Sequence, residues 1–402
     1  MHLAVALDGV GWHPAAWREP RARPAELLTA RYWVDLITEA ERGLLDFVTI
    51  EDGFSVQSSR TDQVTGRLDA VLIAARAAPV TRYIGLVPTV IATHTEPFHI
   101  SKAIATLDYA SRGRAGLRVK VSRGAAEYAQ FGRREPVEAV APLFAEAADY
   151  IEVVRRLWDS WEDDAEIRDV ATGRFVDRDR LHYIDFASEY FQVRGPSITP
   201  RPPQGQPVVA VLGHDSAPYG HDAMLGHEGV LGHEGVLGHD GVPYAPGDDN
   251  SKRGLGLIAS SADVGFVTPR DAVHARDLVR RLGDVRVLAD LVVFLGRTVD
   301  EAAARKARLD ERAGYAYTSD ATIFTGTPGQ LAALLHQWQE SGLAGFRLRP
   351  GTIPDDLELI TRELVPRLQA AGVFRTHYET GTLRGLLGLS RPANRYAASR
   401  IA

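Results

Sequence analysis

The chain carries chemistry-bearing residues at the ends of short apolar runs. Asp8 follows Leu3–Leu7, and His13 lies five residues further on. Asp52 closes Phe47–Ile50, and Thr93 and His94 close Tyr83–Ala92. Arg118, Lys120 and Ser122 alternate with Leu117, Val119 and Val121, so an extended segment puts the first three on one face. Histidine is the side chain whose ordinary proton affinity suits transfer near neutrality, which makes His94 and His13 the candidate proton donors. Two cations on an inward face need an anion, and carboxylates such as Asp8, Glu51 and Asp52 or an anionic ligand each meet that need. Asp52 also fits as a helix cap, and either histidine as a hydrogen-bonded loop residue.

These positions need a scaffold that lines up strand ends. Four strand–helix units occur in the first 160 residues. The strand segments are Leu3–Leu7, Phe47–Ile50, Tyr83–Ala92 and Arg114–Ser122, followed by a long amphipathic helix with Leu143, Ala147, Ile151, Val154 and Trp158 on one stripe. Later strands are expected at Pro207–Leu212, Val264–Thr268, Val285–Leu295 and Phe346–Leu348. Thr327 with Gln330 forms a capping box with Pro328 at the first helical position. Leu357–Ala371 reads as a helix kinked by Pro366 and ended by Gly372. Eight strands alternating with helices predict a closed α/β (β/α)8 barrel, whose active sites lie at the C-terminal strand ends. Gly254-Leu-Gly256 precedes its strand, so it does not read as a dinucleotide turn.

Composition narrows the class. The chain has 402 residues, a formal charge of −6 and no cysteine. It offers no electrostatic footprint for nucleic acid and no thiolate or disulfide chemistry. No apolar run approaches the roughly 18 residues of a membrane span, and Met1–Gly9 reads as a strand instead of a signal segment. A cytoplasmic protein is expected. Residues 212–250 hold a six-residue repeat, with Gly-His-acid at Gly220, Gly226, Gly232 and Gly238. His214, His221, His227, His233 and His239 have the ligand chemistry for a divalent metal. A glycine-rich segment supplies no rigid surroundings for one, so no metal site is assigned.

The stretch Gly372–Tyr396 with its four arginines, Arg375, Arg384, Arg391 and Arg395, resembles the C-terminus of one branch of the luciferase-like flavin monooxygenases. That branch includes the large components of nitrilotriacetate monooxygenase, dibenzothiophene-sulfone monooxygenase and pristinamycin synthase. His13-Pro-Ala-Ala-Trp17, Thr95-Glu-Pro-Phe-His99, Ala105-Thr-Leu-Asp108, Gly113-Arg-Ala-Gly116 and Arg201-Pro-Pro-Gln-Gly205 are similar to family segments too. The resemblance implies a single luciferase-like barrel over 1–402, an insertion at 163–206, a His/Gly-rich loop at 212–250 and a C-terminal strap at 372–402. It implies an FMN-dependent monooxygenase of the two-component type: reduced FMN from a partner flavin reductase, oxygen and a small-molecule substrate. A homo-oligomer is expected only because dimers are the commonest state of such chains. Asp52, Thr93 and Ser122 match family positions near the flavin; Arg118, Gly213 and His214 complete the expected cofactor contacts, with Trp12, Trp17, Phe54 and the strap as walls that exclude water. Arg118 stands where the family usually has Asn, and Val211-Leu-Gly-His-Asp215 where it has a Gln-Ala-Gly-Ser-Ser phosphate turn. A deazaflavin-dependent oxidoreductase and a non-catalytic flavin- or metal-binding member are the competing readings.

Overall fold

A computed structural model describes residues 1–137, 139–213 and 250–397, and the backbone of 236–237 and 243–244. Eight strands close a parallel barrel: β1 (His2–Leu7), β2 (Phe47–Ile50), β3 (Gly85–Ile91), β4 (Gly116–Lys120), β5 (Val208–Gly213), β6 (Val264–Val267), β7 (Arg286–Leu295) and β8 (Gly345–Pro350). Each pairs in parallel with the next, and β8 pairs back to β1. The expected (β/α)8 architecture is therefore present. A further strand, Thr322–Gly326, pairs with the outer half of β7. Its half-exposed, mixed sequence Thr-Ile-Phe-Thr-Gly gives no clean alternation.

The two-residue period of a strand sorts side chains between two cores. Leu3, Val5 and Leu7 of β1 face outward into the main apolar cluster beneath the helices. Ala4 faces the axis with Phe47, Val87, Val208, Val264, Phe266 and Leu288. Capping places the helices. The Thr29 side chain accepts from the Tyr32 N–H to open α1 (Ala30–Arg42), and the Thr327–Gln330 box opens Pro328–Gln339 as expected. The expected kink at Pro366 takes the form of a π-helical turn, Ile360–Leu364, because proline removes one donor from the ladder. The segment before β5 folds into two small antiparallel hairpins, Glu166–Asp169 with Arg174–Val176 and Phe186–Ala187 with Gln192–Val193.

The tail lies at the other end of the barrel from where a water-excluding wall is needed. Leu383 and Leu387 join the axial apolar cluster. A Cβ on Gly85 or Gly116, the first residues of β3 and β4, would meet Leu383 at 2.5 and 3.2 Å. The strap therefore stoppers the N-terminal mouth. Arg375 pairs with Asp46, Arg384 with Asp263, Arg391 with Asp163 and Arg395 with Glu152, so four ion pairs fasten it. The expectation that it walls the reaction site is corrected on this point.

Candidate functional site at the C-terminal rim

Midway along the axis the barrel holds a charged lattice. Arg347 and Arg349 of β8 point inward and are fully buried. Asp290 of β7 accepts from both, with Arg347 Nε at 2.8 Å and Arg349 Nε at 2.9 Å. Arg349 continues to Asp320 at 2.5 Å. Arg118 of β4 reaches Glu51 at 2.5 Å and Thr89 Oγ1 at 2.9 Å. Glu51 lies 3.7 Å from Arg347, which joins the two halves. Three guanidiniums thus face three carboxylates, and Arg347 also lies 3.9 Å above the Phe266 ring. Removing one member would leave a buried charge uncompensated.

Above the lattice opens a cavity of about 420 Å³, bounded by the loops after β1 and β2, the end of β4 and Tyr317–Asp320. That volume lies within the range of small-molecule sites. Gly9, Gly11, Gly53 and Gly124 supply part of its wall, which lets backbone approach a flat ligand. Gly11 requires its identity: its φ is +128°, and a Cβ would sit 2.5 Å from the Gly351 carbonyl oxygen. Two cations border the cavity. Arg67 pairs with Asp8 at 3.2 Å. Lys120, half-buried at the end of β4, has no partner among the described residues.

The structure places the expected residues as follows. His13 borders the cavity, but both ring nitrogens are engaged. Nδ1 accepts from the Ala15 N–H at 3.1 Å, so Nε2 carries the proton and donates to Asp310 at 3.0 Å. Burial opposes the charge on Asp310, but Lys306, the Tyr317 N–H and His13 outweigh it and hold the carboxyl below its ordinary value. His94 is not on the cavity wall; it lies behind Glu127, which is. Its Nε2 is buried with no hydrogen-bond partner among the described residues and stands 3.9 Å from Glu127 Oε2. Burial pulls its proton affinity below the ordinary value, Arg134 adds to this, and Glu127 opposes it.

Asp52 accepts from the Gly53 and Ala70 N–H groups, each at 2.8 Å, and so ties the β2 end to the start of α2 (Ala70–Ala77). Burial raises its proton affinity despite those two bonds. Thr93 Oγ1 accepts from the Ser122 N–H at 2.9 Å, which joins the ends of β3 and β4. Arg118 sits in the lattice. Gly213 packs closely against α6 (Asn250–Ser261): a Cβ there would meet Ile258 at 2.7 Å. His214 and the His/Gly repeat lie outside the described residues.

Three groups went unmarked in the sequence reading: Glu127, the Arg347–Asp290–Arg349 cluster and the 317–320 loop. Arg347-Leu-Arg349 between buried apolar residues was a usable sign, since inward cations demand anions.

The profile of the luciferase-like monooxygenases matches residues 12–221. The chain belongs to the luciferase-like monooxygenase family. It is 32% identical to N-acetyl-S-(2-succino)cysteine monooxygenase of Bacillus subtilis (strain 168), over 98% of each chain. It is 32% identical to nitrilotriacetate monooxygenase component A of Aminobacter aminovorans, over 99% of this chain and 98% of that one. Among solved structures it is similar to riboflavin lyase with modified FMN and riboflavin, at a TM-score of 0.79 and 22% identity over 98% and 97% of the two chains. This luciferase-like monooxygenase is thus an oxidoreductase on the family's barrel. No helix among its described residues is long and apolar enough to cross a membrane.

Proposed function

We propose that the chain is the oxygenating component of a two-component system. It receives reduced FMN from a separate flavin reductase and uses oxygen to oxidise a small organic substrate. The observation that carries the reading is the rim cavity, with a glycine-lined wall and one cation, Lys120, that has no partner among the described residues. These features suit the cofactor. A planar ring needs close backbone approach, and an anionic ring or phosphate needs a cation not already committed. The modified FMN in the similar riboflavin lyase structure and the nitrilotriacetate monooxygenase component relative support the same choice.

Bound reduced FMN supplies the electrons that activate oxygen. The chain's own residues bind, orient and keep water out. Trp12 is fixed by its Nε1–H to the Ala6 carbonyl at 3.2 Å and walls the cavity. Trp17 is held by the Asp62 carbonyl at 3.0 Å, and Phe54 packs edge-on to Phe131 at 4.8 Å. Lys120 holds the anionic part of the ligand. His13, with its proton committed to Asp310, serves as a rigid wall, while His94 acts through Glu127. Asp52, Thr93 and Ser122 fix the strand ends on which these groups ride. Arg118 keeps Glu51 in place beneath, and Gly213 ends β5. A cytoplasmic homo-oligomer remains part of this reading.

The test supplies purified chain, a flavin reductase, FMN, NADH and oxygen with a panel of amino-polycarboxylates, thioethers and sulfones. Expected is substrate-dependent oxygen uptake with one oxygen atom found in product by mass spectrometry. Hydrogen peroxide as the sole product across the panel would contradict the reading. Turnover with a reduced deazaflavin and no oxygen uptake would replace it with the deazaflavin alternative.

A further inference from the structure

The helix that follows β4, α4 (Ala125–Phe131), lays Glu127 on the cavity wall. Glu127 Oε1 accepts from the Phe54 N–H at 2.8 Å, which fixes the carboxylate. Its Oε2 is buried and has no hydrogen-bond partner among the described residues. Directly behind is His94 Nε2, also buried and unpartnered, at 3.9 Å. Tyr128, the next residue of α4, packs its ring against the same imidazole. The three side chains are only 5, 8 and 2% exposed, respectively. Aromatic rings clamp the imidazole: Phe131 is parallel at 4.9 Å and 3°, and Tyr128 meets it edge-on at 4.7 Å. The ring cannot turn to find another partner. Leaving buried polar atoms unsatisfied is costly, and folds tolerate it where the groups work on a ligand or exchange a proton.

We propose that Glu127 is the acid–base residue of the cavity and that His94, which does not touch the ligand, is the positioning residue that shares its proton. This rests on the reading of the rim cavity as the reaction site. The step balances simply. Glu127 gives a proton to an anionic oxygen of the ligand and regains one at Oε2 from His94 Nε2, and the imidazole is recharged from solvent. The reverse sequence removes a proton from a ligand O–H. No redox change falls on either residue.

The groups around His94 set its charge. Glu127 and Tyr128 come from α4, and Phe54 from the loop after β2. Arg134 lies beyond α4, where it donates to the Thr93 carbonyl and pairs with Glu146 of α5 (Ala141–Asp159) at 2.8 Å. Arg134 and burial disfavour the imidazolium, and the Glu127 carboxylate is the group that favours it. Charge removal at Glu127 and at Arg134 should therefore move His94 in opposite directions.

The experiment is an NMR titration of the His94 ring in full-length protein without flavin, in wild type, Glu127→Gln and Arg134→Gln. Glu127→Gln keeps an oxygen for the Phe54 N–H, so the local fold stays. Expected is a fall in the His94 midpoint of about 1–3 pH units in Glu127→Gln and a rise in Arg134→Gln. Under the flavin reductase assay, Glu127→Gln should lose roughly 100-fold or more in turnover while reduced-FMN affinity changes less than about threefold. Identical His94 midpoints in the three proteins, or full turnover with an unaltered pH profile in Glu127→Gln, would overturn the proposal. If Glu127→Gln does not fold, the Arg134→Gln shift decides by its sign. Opposite shifts in protein that oxygenates nothing support the pair and count against the monooxygenase reading instead.

Discussion

The barrel axis and its C-terminal rim treat charge in opposite ways. Along the axis, Arg118, Arg347 and Arg349 meet Glu51, Asp290 and Asp320, and the charges cancel. At the rim, Lys120 has no partner among the described residues, and His94 Nε2 and Glu127 Oε2 face each other beyond hydrogen-bonding distance. Both regions are largely shielded from water, so shielding alone does not explain the difference. The axial charges complete each other and hold strands together. The rim charges are incomplete without something else in the cavity. A charged residue inside a barrel therefore signals a ligand only when its counter-charge is missing.

Breaking the axis should hurt folding most. Asp290→Ala removes the carboxylate that two buried guanidiniums share and should cost about 3–5 kcal/mol, read as a lower urea midpoint. Leu383→Ala opens the stopper at the opposite mouth. It should cost about 2–5 kcal/mol, with oxygenation chemistry unchanged in the protein that remains folded. Lys120→Met is the contrasting case. Its stability should stay within about 0.5 kcal/mol of wild type, while affinity for reduced FMN falls roughly tenfold to a hundredfold, the weight of about 1.5–3 kcal/mol for a charged hydrogen bond.

The smallest effect concerns the strap. Arg391 and Arg201 hold the Asp163 carboxyl down to about 2. A depressed carboxylate stabilises the fold above its ordinary value near 3.9, and that contribution is lost as pH falls towards 2. Asp163 is half-exposed, so solvent screens the pair. Asp163→Asn should thus lower stability at neutral pH by less than about 1 kcal/mol and flatten the acid limb of the stability–pH curve. An acid limb that matches wild type would remove Asp163 as an anchor of the strap.

The strands were legible because buried parallel strands are short apolar runs with turn residues at their ends. The Thr327–Gln330 box was legible because capping is local. Thr298 and Glu301 give the same local sign, and the Thr298 side chain does accept from the Glu301 N–H to open α8 (Val299–Ala313), which the sequence reading passed over. Partnerships across the barrel were not legible. His13 meets Asp310, 297 residues away, and nothing near His13 announces that its proton is committed. Arg118 showed a need for an anion, and Glu51 was among the carboxylates considered, but choosing it over a ligand required three dimensions. Glu127 stayed hidden on a seven-residue helix too short to show a period. The strap's four arginines were visible as anchors, whereas the mouth they close was not.

The most direct measurement is an anaerobic titration of reduced FMN into wild type and Lys120→Met, followed by flavin fluorescence at low and high salt. The expected result is saturable binding to wild type that weakens with salt, and a roughly tenfold or greater loss in Lys120→Met with most of the salt dependence gone. Equal affinity and equal salt dependence in the two proteins would contradict the assignment of the rim cavity as the flavin site.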